Sequence, residues 1–88
     1  MSAKPEEIKQ AVREHLAAEL LPGEDPRELD DNRSLVTGGL LDSLAVVRLI
    51  TFLEERFTVE FAAHEVGVDY LDTIAIIADV VHGKSTQE

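Results

Sequence analysis

Apolar residues recur every third or fourth position in three separate stretches, and that period limits the folds open to this chain. Ile8, Val12, His15/Leu16 and Leu20 form the first stripe. Val46/Val47, Leu49/Ile50, Leu53 and Phe57 form the second, and Ile74, Ile77/Ala78 and Val81 the third. A period near 3.6 places each set on one side of an α-helix. Such stripes must be buried against one another. The expected architecture is all-α: a small four-helix bundle with a long loop between the first and second helices and a short third helix. The 88 residues are enough for a single domain, with its core over about 6–82 and a polar tail over 84–88.

Local signals set the expected boundaries. The first helix is expected over Ser2–Leu21, with Pro5 in the first turn, Glu6 and Glu7 at its positive end, and Pro22-Gly23 as the stop. Gly23–Asp42 lacks a strong period. A loop this long needs pins, and Leu29, Leu35, Val36 and Leu40 are the candidates, with a short helical turn around Pro26–Leu29. Asp30-Asp31-Asn32-Arg33-Ser34 lacks the glycine and closing glutamate of a calcium loop, so it reads as solvated acidic chain. The second helix runs to Phe57, with Glu54-Glu55-Arg56 as a solvated end. Thr58–Phe61 reads as an extended connector with Val59 and Phe61 turned inward. The short third helix is placed over Ala62–Val68, weakened by about 1 kcal/mol at Gly67 relative to alanine. Asp72 is expected to cap the last helix, Thr73–His82, and Lys84–Glu88 forms the tail.

With 18 acidic and 8 basic residues the net charge is −10, which opposes binding to nucleic acid or anionic membranes and favours basic protein surfaces as partners. No apolar run is long enough to cross a bilayer, and the N-terminal stretch has no signal-peptide pattern. A cytoplasmic, monomeric protein is expected. The absence of cysteine excludes disulfides, thiolate metal sites and a thiol nucleophile belonging to the chain itself.

Gly39-Leu40-Leu41-Asp42-Ser43-Leu44 stands between the polar loop and the second stripe. Asp and Ser favour helix starts because their side-chain oxygens accept from unpaired backbone N–H groups. With Asp42 as the cap, Ser43 is the first helical residue, a small nucleophile at the positive end of a helix dipole. Taken together with Leu49, Leu53, Glu54, Glu55 and Phe57, this segment resembles the acyl carrier and peptidyl carrier protein family. Tyr70-Leu71-Asp72-Thr73-Ile74 resembles that family's approach to its final helix. The resemblance covers about Glu6 to Val81.

What the resemblance implies is a non-enzymatic carrier. Ser43 would bear a 4′-phosphopantetheine arm taken from coenzyme A by a phosphopantetheinyl transferase, and the arm's thiol would hold acyl or aminoacyl groups as thioesters. Loading ligases or synthases and downstream transferases of fatty-acid-like or secondary-metabolite biosynthesis would be the other partners. Asp42, Leu44 and the exposed side of the second helix, Arg48, Thr51 and Glu55, are the expected recognition residues. A groove between the second and third helices, walled by Val47, Phe61, Val66 and Leu71, is a possible shelter for cargo. These four fit plain core packing equally well. Ala45 and Arg48 stand where fatty-acid carriers commonly have acids, which favours a dedicated, aminoacyl or secondary-pathway carrier. The family shows one glycine at Gly39, and the additional Gly38 is expected to loosen the approach to Ser43.

Two other classes compete. In a helical interaction module without a prosthetic group, Ser43 would be only part of a helix start. A small hydrolase would need Ser43 to meet His64 and an acid such as Glu65, yet no Gly-x-Ser-x-Gly elbow surrounds Ser43. His15 is expected to be a packing residue, since no second histidine lies at metal-ligand spacing on its helix.

Overall fold

The protein, seen here as a computed structural model, is described over residues 4–85 apart from Pro22, Glu24 and the side chain of Pro26. It is a small all-α bundle of four helices: α1 Pro5–His15, α2 Ser43–Phe57, α3 Val68–Leu71 and α4 Ile74–Ser85. Among the described residues there is no strand, and no helix is long and apolar enough to cross a membrane.

Helix α1 begins with Pro5 in its first turn, with Glu6 and Glu7 beside the positive end and Arg13 and His15 in the last turn. That order complements the helix dipole at both ends. Its inward face is Ile8, Ala11 and Val12, and α1 packs chiefly on α4. Past His15 the helix widens into a π turn, Leu16–Leu20, where the Leu21 N–H donates to the Leu16 carbonyl. The extra residue in this turn lets Leu16 stay fully buried while Leu20 and Leu21 also lean on the core. The expected start at Ser2 and the stop at Pro22 lie outside the described residues.

The core is one cluster. Ile8, Val12 and Leu16 meet Leu49 and Leu53 of α2 and Ile74, Ile77 and Val81 of α4, all with no measurable exposure. Each such side chain contributes about 1.5–3 kcal/mol relative to leaving it in water. On α2, Val46 turns towards this core while Val47 stays 55% exposed.

The loop between α1 and α2 is ordered by its leucines and by acids. Leu29, Leu35 and Leu41 are buried, and Leu40 packs half-buried against the core. A 3-10 turn, Pro26–Glu28, interrupts the loop. Asp31 is more than solvated chain. Its carboxylate lies against Lys9 at 3.0 Å and against Arg13, while its carbonyl accepts from the Ala75 N–H of α4 at 3.0 Å. Arg13 Nε also donates to the Leu29 carbonyl at 3.0 Å. The loop is therefore fastened to both α1 and α4.

After α2 the chain turns through Thr58, which has a left-handed φ of 54°. Val59 is buried and Phe61 half-buried. Glu54 accepts from the Phe61 N–H at 2.9 Å, so this residue ties down the connector and is not simply part of a solvated end. The continuous helix expected over Ala62–Val68 is instead a 3-10 turn, Ala63–Glu65, and then the short α3. Gly67 has extended backbone (φ −94°, ψ 179°) and breaks the helix between them. The tail also differs from expectation: α4 continues to Ser85, and Lys84 pairs with Glu65 at 2.6 Å and lies 5.1 Å from the Phe61 ring centroid.

Thr58 is β-branched, and a left-handed φ is costly for such a residue. Thr58→Gly is expected to raise unfolding free energy by about 1 kcal/mol, read as a higher midpoint in urea with an unchanged slope.

Candidate functional site

Helix α2 starts where the sequence indicated. Asp42 has extended backbone, and its Oδ1 accepts from the Ala45 N–H at 2.8 Å, while its carbonyl accepts from Val46 at 3.0 Å. Ser43 is the first helical residue and is exposed. Its hydroxyl makes no hydrogen bond to any described residue. The N–H groups of Ser43 and Leu44 precede the first intrahelical bond and stand at the positive end of the dipole. Leu44 is 61% exposed. A free hydroxyl, open amides and an exposed leucine thus share one corner.

The approach to that corner is held rigidly. Asp72 does not cap α4. Thr73 does, its Oγ1 accepting from the Ile76 N–H at 3.1 Å. Asp72 reaches back across the fold, where Oδ1 accepts from the N–H groups of Val36 and Thr37 at 3.0 and 2.9 Å, and Oδ2 from the Thr37 hydroxyl at 2.9 Å. Its carbonyl accepts from the Leu35 N–H at 2.6 Å. The Thr37 N–H, with help from the Thr37 hydroxyl and the Val36 N–H, holds the Asp72 carboxyl below its usual pKa against some desolvation. Leu35 in turn accepts from Leu40 and Leu41 at 3.0 and 2.9 Å, closing the turn that leads to Ser43.

Both glycines are needed in that turn. Gly39 has a φ of +79°, the region only glycine enters freely. A β-carbon on Gly38 would lie 2.2 Å from the Ser34 carbonyl oxygen. Gly38 is therefore a close-contact position and does not loosen the approach to Ser43.

The other expected site residues fall in different places. Arg48, Thr51 and Glu55 are exposed on α2, with the Thr51 hydroxyl donating to the Val47 carbonyl at 3.0 Å. The four candidates for a cargo groove are not alike. Leu71 is fully buried and packs the core, Phe61 is half-buried under Lys84, and Val66 and Val47 are 38% and 55% exposed. Two cavities lie instead on the flank of α2 that meets the π turn, and Ser43 itself lines neither. One, of about 280 Å3, is lined by Leu20, Leu40, Asp42, Leu44 and Arg48 among others. The second, of about 270 Å3, is lined by His15, Glu19, Leu20, Val47, Arg48 and Thr51. Sequence reasoning missed the contribution of Glu19 and Leu20. Their helical period pointed to a continuous α1, and the π turn that brings them to this flank has no residue signature.

The histidines and their neighbours do not assemble with Ser43. His64 sits edge-on to Tyr70 at 6.2 Å, and Glu65 is engaged by Lys84 and by the Ala62 N–H. Lys84, with the Ala62 N–H, lowers the Glu65 pKa. His15 stacks on Phe52 at 4.0 Å with the planes 6° apart. Among the described residues no group of three or more histidine or acidic side chains is placed to hold a metal ion.

No model of a known protein family matches the chain, and no characterised protein matches it in sequence.

Two measurements test this site. Asp42→Ala removes the cap and is expected to cost about 1 kcal/mol of stability, measured by urea unfolding. Asp72→Asn is expected to speed amide exchange at Val36 and Thr37 at neutral pH. Because the folded carboxyl titrates below its unfolded value, its contribution is complete above about pH 4. That contribution fades as the pH falls through the folded value. The stability gap between parent and Asp72→Asn should therefore narrow on acidification below about pH 4.

Proposed function

We propose that the protein is a carrier: Ser43 bears a 4′-phosphopantetheine arm on which acyl or aminoacyl groups are held and presented to separate enzymes. The observation that carries this reading is the state of Ser43. It is exposed at the first position of α2, its hydroxyl is not used by the fold, and Asp42 has already taken over the capping role. The likeness of Leu40-Leu41-Asp42-Ser43-Leu44 and the second-helix pattern to the acyl and peptidyl carrier family supports the same reading. So does the four-helix all-α architecture with its long ordered loop.

The corner around Ser43 fits such a group. The exposed hydroxyl leaves room for a bulky substituent, and the N-terminal amides favour the phosphate charge. In attachment, Ser43 Oγ bonds to the phosphorus of coenzyme A that carries the pantetheine. The bond from that phosphorus to the bridging oxygen breaks, adenosine 3′,5′-bisphosphate leaves, and the hydroxyl proton passes to a base of the transferase. When bound, the arm supplies the thiol that this cysteine-free chain lacks. Asp42 then fixes the helix start, and Leu44, Arg48, Thr51 and Glu55 form the face offered to partners. Tethering raises the effective concentration of cargo at each partner's site, which requires no catalytic group in the carrier itself. Arg48 on that face favours partners other than those of general fatty-acid synthesis and suits an acyl or aminoacyl pathway with dedicated enzymes in the cytoplasm.

A helical interaction module without a prosthetic group is the second reading, favoured by the exposure of Leu44 and Val47 on one helix at 61% and 55%. Intact mass separates the two. Incubation with coenzyme A and a broad-specificity phosphopantetheinyl transferase is expected to add one phosphopantetheine to the parent and none to Ser43→Ala. Ser43→Ala should stay within about 1 kcal/mol of the parent in stability. A folded parent that several transferases leave unmodified would favour the interaction module.

A further inference from the structure

The turn that precedes Ser43 is held from outside itself. Leu35 and Leu41 are buried at its two ends, and Thr37, Gly38 and Gly39 stand exposed between them. Two adjacent glycines leave such a turn much conformational freedom to lose. Its internal bonds run from the Gly39 N–H to the Val36 carbonyl at 3.1 Å, and from the Leu40 and Leu41 N–H groups to the Leu35 carbonyl. The remaining hold comes from the start of α4. The Asp72 carboxylate accepts from the Val36 N–H, the Thr37 N–H and the Thr37 hydroxyl at 3.0, 2.9 and 2.9 Å. Bonds to an ionised acceptor are stronger than neutral ones. The Thr37 N–H lowers the pKa of the acid, which is therefore charged at neutral pH. Thr73 caps α4 and leaves this carboxylate to the turn.

The end of the turn meets the corner that carries Ser43. Gly39 and Leu40 line the cavity of about 280 Å3 together with Asp42 and Leu44, the sequence neighbours of Ser43. Leu44 is 61% exposed. A protein that closes on the Ser43 hydroxyl therefore meets the end of the turn as well as the first residues of α2.

We propose that Asp72 is a positioning residue for the modification of Ser43: from the start of α4 it clamps the Val36–Leu40 turn as a preformed edge for the transferase. The proposal rests on the carrier reading. Asp72 touches no reacting atom, and its effect is on the cost of binding. A turn fixed beforehand loses little entropy when an enzyme closes over it. A released Gly38-Gly39 turn must be ordered at that moment. Loss of the clamp weakens recognition and leaves the chemical step alone.

Steady-state kinetics of arm transfer test this, with coenzyme A, a broad-specificity phosphopantetheinyl transferase and the full chain as acceptor. Asp72→Ala is expected to raise the KM for the acceptor about fivefold at unchanged kcat, equivalent to about 1 kcal/mol. Asp72→Asn keeps one acceptor oxygen for the two amides and should fall between it and the parent. Thr37 is exposed, so Thr37→Val leaves the core intact and removes only the bonds of the hydroxyl. It should raise KM about twofold and add nothing in the Asp72→Ala background. Thr37→Ser, which keeps the hydroxyl, should match the parent. Ile77→Val thins the core face of α4 without touching the turn and should leave KM unchanged. If the Asp72 and Thr37 variants keep the parent's KM, or if the loss falls on kcat, the transferase does not read the turn and only the carrier reading stands. If Ile77→Val raises KM as much as Asp72→Ala, the clamp acts through overall stability alone and the proposal fails. If the parent itself takes no phosphopantetheine, the carrier reading fails and the proposal falls with it.

Discussion

The carboxylate of Asp72 holds the arrangement together at its least regular point. Among the described residues from Gly23 to Asp42 there is no helix longer than the Pro26–Glu28 turn to satisfy the backbone. Buried or half-buried N–H groups in such a segment need partners from elsewhere. Asp72 provides them from the far side of the sequence, binding Val36 and Thr37 through its side chain and Leu35 through its carbonyl. Asp31 makes the reciprocal link, its carboxylate meeting α1 and its carbonyl meeting Ala75 of α4. Two acids, one at each end of the contact, thus splice the loop onto the start of α4. Leu35 then receives Leu40 and Leu41, and the start of α2 follows. The position of Ser43 is set by α4 through this chain of bonds.

The same economy explains where the charge goes. A net charge of −10 repels itself, and compact states suffer from that repulsion. Several acids are placed where they meet donors: Asp31 against Lys9 and Arg13, Glu65 against Lys84 and the Ala62 N–H, Asp42 against Ala45 and Glu54 against Phe61. Half of these donors, those of Ala62, Ala45 and Phe61, are backbone amides at turns and helix starts. A chain with many short irregular connections has many such amides, and carboxylates satisfy them well.

The helices were legible in the sequence because their apolar period is strong and their caps are local. Asp42 and Ser43 were readable as a helix start for that reason. What the sequence hid was long-range. Asp72 precedes a threonine and an apolar run and looks like a cap, yet its bonds go to residues 35 and 36 positions away. Nothing local distinguishes a carboxylate that caps its own helix from one that serves a distant loop, particularly when Thr73 can cap in its place. Gly38 looked like added freedom because a glycine's close contact with Ser34 is visible only in space. The break at Gly67 and the widening at Leu16 are likewise choices that packing makes against a continuous helical pattern. The candidate site was half legible: Ser43 and its cap were apparent, the cavities against the π turn were not.

That division follows from how the corner is built. An exposed hydroxyl that the fold leaves unused is something a helix start supplies from adjacent residues alone. Asp42 satisfies Ala45, so the hydroxyl one residue later is spared from capping. The cavities near it are a property of two elements, the π turn and α2, and depend on how far apart they stand. An ordinary α-helical continuation of α1 would rotate Leu20 away from its present side by about 100° for each residue of register changed. The extra residue in the turn Leu16–Leu20 therefore sets which side chains face Leu44 and Val47. The helix start fixes where the Ser43 hydroxyl stands, and the π turn fixes which side chains line the cavities on that flank.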